Sequence, residues 1–164
     1  MGRYFGFYVG RSDLIGEILM IDNDRLEYRL NEPGVVVAEA NFMWACETMA
    51  VGQVDLDSLA KILSKYSGEK FPVFSESLVK PVWDSWHLNL VALVSENWTS
   101  AVSRIDESNA RDVAAYWASE IGLRDTGPED IKTLIEAVKS LLRVCSTARK
   151  QGLSVVFWTG EPKK

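Results

Sequence analysis

Apolar and polar residues alternate in the first third of the chain, which is the spacing of β-strands. Residues 4–10, YFGFYVG, are aromatic and β-branched and predict a first strand. Residues 15–21 and 25–30 flank a short Asp-Asn-Asp turn and predict a hairpin. A further strand near 35–38 and a helix near 40–50 follow, although this stretch could equally be strand or helix throughout.

Later segments place their apolar residues three and four positions apart, which is the spacing of one helix face. This pattern predicts helices over 55–68, 106–122 and 126–152, each of which ends at a glycine. Residues 81–98, PVWDSWHLNLVALVSENW, are interpreted as a further helix of about three turns. The β-branched run at 153–159 predicts a final strand.

The order of these segments predicts an α+β fold, because strands come early, helices come late and one strand closes the chain. The C-terminal strand is expected to join a mostly antiparallel N-terminal sheet that packs against several helices. The intervening residues 69–81 contain Pro72 and Pro81, so they are predicted to be irregular or a short edge strand. A single domain over 1–164 is expected, with 159–164 as a mobile tail.

Composition supports a globular protein that works in a reducing compartment. Of the 164 residues, 47% are hydrophobic and 25% charged, which is enough for one ordinary core. No apolar run reaches the roughly 20 residues of a membrane span, and no secretory leader is evident. Cys46 and Cys145 lie far apart in apolar contexts and are expected to be buried free thiols. We therefore expect a cytoplasmic protein without a membrane partner.

Negative charge is concentrated in the N-terminal third. Residues 1–57 carry ten acidic and four basic side chains, a balance of −6 in a chain whose net charge is −5. Such a region repels nucleic acid and attracts a basic protein, whose encounter rate it would raise. The alternative is an acidic face that serves only solubility. Nucleic-acid binding is not expected, because no basic stripe is present.

His87 is the only histidine and the leading candidate for acid–base chemistry. On a helix it would share a face with Asp84, three residues earlier, which could orient it. Its neighbours are largely apolar, which favours a histidine that packs in the core. A small enzyme using His87 and Asp84, or a pair of carboxylates, is therefore the second hypothesis, and no catalytic residue is assigned in the first. Cys46 with His87 as its base is less favoured, because an apolar context suits an inert thiol.

Metal and cofactor motifs are not found in the sequence. One histidine and two distant cysteines do not make a zinc site. The Asp-Asn-Asp turn lacks the glycine and the distant glutamate of a calcium loop. No glycine-rich phosphate loop or dinucleotide fingerprint is present. We therefore predict neither a bound metal nor a cofactor.

Tryptophan and acidic residues suggest a protein-binding surface. The chain has six tryptophans, and Trp98, which follows Ser-Glu-Asn, is expected to be exposed at a helix end. Exposed aromatic residues anchor many interfaces. The predicted partner contacts combine this anchor with the acidic residues of the first hairpin and of the helix that begins near 55: Asp22, Asp24, Glu27, Glu32, Asp55, Asp57 and Trp98.

In overall character the chain resembles the immunity proteins of bacterial contact-dependent growth-inhibition toxins. The resemblance covers size, acidity and the lack of catalytic motifs, and no motif carries it. It implies a cytoplasmic monomer or weak homodimer that neutralises a toxin, often a basic nuclease, by binding it. A third hypothesis is a structural or regulatory subunit that oligomerises through an apolar helix face.

Overall fold

The computed structural model describes residues 4–11, 38–43, 53–68, 74–84, 89–120 and 128–160. The described strands are β1 (Tyr4–Gly10), β2 (Ala38–Met43), β3 (Leu78–Asp84), β4 (Asn89–Val94) and β5 (Ser154–Gly160). The described helices are α1 (Gln53–Ser67), α2 (Glu96–Ser103), α3 (Ala110–Glu120) and α4 (Pro128–Gln151). Short 3-10 turns at Phe74–Ser77 and Glu107–Asn109 precede β3 and α3.

The strands form one antiparallel sheet in the order β2-β1-β5-β4-β3. The last strand of the chain therefore lies at the centre, hydrogen-bonded to β1 on one side and to β4 on the other. Phe157 lies opposite Phe7 on β1 and opposite Ala92 on β4. This arrangement confirms the predicted α+β class and the prediction that the C-terminal strand joins the N-terminal sheet.

Three helices agree with the sequence patterns that predicted them. Gly68 ends α1 with φ +71°, and Gly152 ends α4 with φ +65°, left-handed conformations that glycine adopts without steric cost. Asp106 caps the 3-10 turn that leads into α3, because its carboxylate accepts a hydrogen bond from the backbone N–H of Ser108 at 2.9 Å. Local signals therefore fix where these elements begin or end.

The helix predicted over 81–98 is wrong. Strand β3 ends at Asp84, β4 runs from Asn89 to Val94, and helix α2 begins only at Glu96. The run Leu-Val-Ala-Leu-Val is apolar at every position, so it suits a strand buried on both faces as well as a helix. Its pairing with β5 decides the outcome, since β4 then shares the sheet's central hydrogen bonds.

Strand β2 also departs from the prediction. β2 pairs with β1 over Ala38–Met43, where a helix was predicted from residue 40, and residues 35–37 of the expected strand lie outside the described residues. Residues 44–50 and the predicted hairpin at 15–30 lie outside the described residues. At the other terminus, Thr159 and Gly160 belong to β5 and not to a tail. Pairing partners that are distant in sequence account for both differences.

The last part of the region 69–81 begins the edge strand β3, in agreement with one of the two alternatives predicted from its prolines, whereas residues 69–73 lie outside the described residues. Strand β3 pairs with β4 and occupies one end of the strand order. The register of β3 shifts between Val79 and Val82, which brackets Pro81. A bulge here agrees with the missing N–H donor of proline.

The core lies between one face of the sheet and the helices, and four aromatic rings form its centre. Phe7, Phe74, Trp98 and Phe157 are each at most 1% exposed. Phe74 lies edge-on to Trp98 and to Phe157, with ring centroids 5.1 Å apart in both pairs. Phe7 stacks on Trp98 at 6.1 Å. Helices α3 and α4 close the core with Trp117 and Leu141, both fully buried.

Candidate interaction surface

The structure describes only part of the predicted acidic contact set. Asp22, Asp24, Glu27 and Glu32 lie outside the described residues, so their role stays a prediction. Asp55 and Asp57 lie in the first turns of α1, which begins at Gln53, and Asp57 is half-buried. Both residues therefore lie inside the helix near its N-terminus, where carboxylates interact favourably with the positive end of the helix dipole.

The expectation that Trp98 is exposed is wrong. Its side chain is 1% exposed and packs between Phe7 and Phe74 in the core. The polar residues before it form the start of α2: the backbone N–H of Trp98 donates to the Ser95 hydroxyl at 3.3 Å. This cap fixes the start of α2, and Trp98 then lies on the buried face of the helix. The indole is therefore unavailable as a surface anchor in the folded protein.

An exposed aromatic side chain lies instead on α3. The inner face of this helix buries Val113, Ala114, Trp117 and Ala118. On the outer face Tyr116 is 60% exposed, whereas the only other large hydrophobic residue that is exposed in the described part of the chain is Val79. A single exposed tyrosine is ordinary on a protein surface, so the groups around Tyr116 decide whether it can anchor a partner.

Carboxylates flank Tyr116 on both sides. Asp112 and Glu120 are four residues before and after it, so the three side chains share one face of α3. The exposed positions between them, Ala115 and Ser119, carry only small side chains. Tyr116 therefore projects beyond its small neighbours, with an acid at each end of the row.

Tyr66 extends this surface onto α1. Burial raises the pKa of the Tyr66 phenol, and the neighbouring Asp112 carboxylate and Tyr116 phenol raise it further. Helices α1 and α3 pack against each other, which agrees with an electrostatic influence of Asp112 and Tyr116 on Tyr66. We call the set Tyr66, Asp112, Ala115, Tyr116, Ser119 and Glu120 the Tyr116 surface.

The Tyr116 surface suits a cationic side chain. An arginine or lysine that lies on the tyrosine ring gains a cation–π interaction, and the adjacent carboxylates pair with its charge. The sequence did not predict this site, because the apolar stripe of α3, which includes Trp117, indicates only the buried face of the helix. The available signal was an aromatic residue at a position off that stripe.

Of the predicted acid–base residues, the structure describes only Asp84. Asp84 ends strand β3 and lies opposite Asn89, so it does not lie on the predicted helix face. His87 and Cys46 lie outside the described residues. Cys145 is fully buried, and burial raises the pKa of its thiol far above the ordinary range, so it is protonated and unreactive. Within the described ranges, no three acidic, histidine or cysteine side chains are grouped to hold a metal ion.

Comparison with protein-family models, with curated proteins and with solved structures finds no match to this chain. Among the helices that the structure describes, none combines the length and the apolarity needed to cross a bilayer. A fold by itself does not specify an activity, so the chemistry of the described surface is the basis for a functional proposal.

Proposed function

We propose that the protein is a protein-binding inhibitor of the immunity type, which neutralises a basic, nuclease-like toxin by binding it. The observation that carries the proposal is Tyr116, an exposed aromatic residue with a carboxylate one helical turn away on each side. Tyrosine is among the residues that most often dominate interface energies. Carboxylates around such an anchor select a partner that presents lysine or arginine.

The charge distribution supports a basic partner. The excess of six acidic over basic residues in positions 1–57 creates a negative field that extends beyond individual contacts. Such a field accelerates association with a positively charged protein and weakens as salt is added. A nuclease binds phosphate and therefore presents a positive active-site surface. An acidic inhibitor that covers this surface would block access to nucleic acid.

The acidic field and the aromatic anchor should affect different rate constants of binding, which makes the proposal testable. Charges at the rim act mainly on the association rate, whereas a buried aromatic anchor acts mainly on dissociation. Loss of Tyr116 should therefore speed dissociation, and loss of Asp112 and Glu120 should slow association at low salt. An anchor worth about 2 kcal/mol weakens binding roughly thirtyfold when it is removed.

The experiment starts with affinity capture from the native cell, washed at low and then at high salt. A basic protein that is retained would be expressed alone, to test whether it stops growth, and then together with the wild type. The Tyr116→Ala variant should bind this protein about thirtyfold more weakly and protect growth less. Val79→Ala is the matched control, since Val79 is the other exposed hydrophobic residue of the described chain, at 42%.

Two results would contradict the proposal. The first is a captured partner that does not impair growth, because an immunity protein has no purpose without a toxin. The second is a partner whose affinity changes equally in Tyr116→Ala and Val79→Ala, which would remove the Tyr116 surface from the interface. The predicted contacts Asp22 and Asp24 are tested in the same assay by charge reversal, which should slow association.

The enzyme hypothesis is tested by a different substitution. His87→Ala should abolish acid–base catalysis if His87 and Asp84 carry it, yet leave partner binding intact. Since His87 lies outside the described residues, no structural observation favours this hypothesis, and it stays the alternative prediction.

A further inference from the structure

A cleft of about 300 Å³ opens between the C-terminal half of α4 and the turn that follows α2. Ile105 and Leu142 line its base, and because they are only 6% and 3% exposed they give the cleft a small apolar floor. The volume is at the lower end of the range typical of small-molecule sites. This cleft lies on elements that do not contribute to the Tyr116 surface.

One face of α4 supplies most of the polar lining. Arg143, Ser146, Thr147 and Lys150 are spaced by three, four and seven residues from the first, which places them in one row along the helix. The two cations are about 10 Å apart along the axis, with the two hydroxyl groups between them. Both cationic side chains are long enough to reach a ligand that lies over the hydroxyl groups.

The two hydroxyl groups are available to a ligand. A helical serine or threonine commonly satisfies its hydroxyl with a carbonyl of the preceding turn. Ser64 and Ser103 do so, donating to the carbonyls of Lys61 and Ser100 at 2.6 Å. Ser146 and Thr147 are half-buried, and within the described ranges neither hydroxyl bonds to a protein group.

The cleft carries a net positive charge in an otherwise acidic protein. Glu107 is its one lining carboxylate among the described residues, and this group pairs with Nε of Arg143, which neutralises it and holds the guanidinium in place. Lys150 then remains as an uncompensated cation of that lining. Arg149 adds a second positive charge at the rim, where its Nη1 donates to the Ser103 hydroxyl at 3.4 Å.

A helix end explains only some of these basic residues. Arg149 and Lys150 lie in the last turn of α4, where cations stabilise the negative end of the helix dipole. Arg143 lies two turns earlier, beyond the reach of that effect, and it faces the same cleft as Ser146 and Thr147. Hydroxyl donors beside guanidinium and ammonium groups are the donor set that recognises phosphate.

We infer that this cleft binds a small phosphate monoester. Lys150 and the free N–H groups of Arg143 pair with the phosphate oxygens, and the hydroxyls of Ser146 and Thr147 donate to them. The apolar floor of Ile105 and Leu142 contacts the organic part of the ligand. The inference is independent of the proposed function, because it rests on different residues and on the opposite charge.

The test is a titration of the full chain with phenyl phosphate at constant ionic strength, followed through backbone amide chemical shifts. Saturable shifts are expected at Ser103, at Ile105 and along α4 from residue 142 to 150. Inorganic phosphate should bind more weakly, because it does not use the apolar floor. Phenol should not bind, because it has no phosphate.

Variants locate the site. Lys150→Gln should weaken phenyl phosphate binding about tenfold, as expected for loss of one charge-assisted hydrogen bond, and Ser146→Ala should weaken it severalfold. Lys132→Gln is the matched control: Lys132 is an exposed lysine of the same helix, about 27 Å along the axis from Lys150. Its removal changes net charge equally and should leave affinity unchanged.

Three outcomes would overturn the inference. Shifts that do not saturate, or an equal loss in Lys132→Gln and Lys150→Gln, would show general attraction of anions. Tighter binding of a short single-stranded oligonucleotide than of phenyl phosphate, with the same dependence on Lys150, would replace the small ligand by nucleic acid. All three variants change exposed or half-buried side chains, so the fold should survive each substitution.

Discussion

Substitutions at Trp98 and Tyr116 should separate the stability of the protein from its binding function. Trp98 is 1% exposed and lies among three other buried rings, whereas Tyr116 is 60% exposed. Replacement of Trp98 by phenylalanine keeps one aromatic ring but leaves a void of roughly 40 Å³. At about 24 cal/mol per Å³ of cavity, together with lost burial of a similar size, the cost is about 2 kcal/mol.

Trp98→Ala should destabilise the protein more than Trp98→Phe does, and Tyr116→Ala should destabilise it less. Trp98→Ala should cost about 4 kcal/mol, a large part of the 5–15 kcal/mol typical of whole domains, so it tests whether the domain still folds. Tyr116→Ala should change the free energy of unfolding by no more than about 0.5 kcal/mol, because its side chain is mostly in water. The informative comparison is therefore Trp98→Phe against Tyr116→Ala.

Urea unfolding followed by far-ultraviolet circular dichroism measures both values. Fluorescence is less suitable, because the chain has six tryptophans and the substitution removes one of them. With a urea dependence of about 2 kcal/mol per molar, Trp98→Phe should lower the midpoint by about 1 M. An unchanged midpoint for Trp98→Phe, or an equal decrease for Tyr116→Ala, would refute the assignment of these two residues to core and surface.

Three further predictions concern ionisation and backbone conformation. Burial raises the pKa of the Cys145 thiol, so as the pH rises above about 8.5 the unfolded chain loses this proton before the folded chain does. The free energy of unfolding should therefore fall by up to about 1.4 kcal/mol per pH unit. Urea titrations of Cys145→Ala should lack this pH-dependent component. Hydrogen bonds from Ser108 lower the pKa of Asp106, so its contribution is present above about pH 4 and is lost as the pH falls through the lowered pKa. Asp106→Asn keeps a capping oxygen and should lower the acid dependence of the thermal midpoint, whereas an unchanged acid dependence would exclude this role. Gly152→Ala should lower the free energy of unfolding in urea by about 1 kcal/mol, because φ at this residue is +65°. A methyl group there would meet no other atom, so the cost comes from the backbone conformation alone. An unchanged stability would show that the left-handed turn relaxes freely.

Local pattern determined the helices α1, α3 and α4. Each has apolar residues at helical spacing, and capping or terminating residues stand at the ends: Gly68 after α1, Asp106 before α3 and Gly152 after α4. These signals act within a few residues, so they are the same in the sequence and in the folded chain. The aromatic and β-branched runs of β1 and β5 predicted strands for the same reason.

Tertiary pairing decided the segment from 78 to 94. Val156 and Phe157 point to opposite faces of β5, and both are 1% exposed, so the centre of the sheet is covered on both sides. A strand in this environment needs apolar residues on both faces, and β4 has them from Leu90 to Val94. The sequence offers no period that separates such a strand from a buried helix, and β5, the partner that decides, begins 60 residues after β4 ends.

The proposed phosphate cleft and the Tyr116 surface also depend partly on the sequence and partly on the tertiary structure. The row Arg143, Ser146, Thr147 and Lys150 can be recognised from its spacing, but the cleft exists only because the turn after α2 packs beside it. The exposure of Tyr116 and the burial of Trp98 likewise could not be predicted from their neighbours in sequence. Hydrophobicity indicates that an aromatic residue gains by burial, whereas the packing of distant elements determines which one is buried.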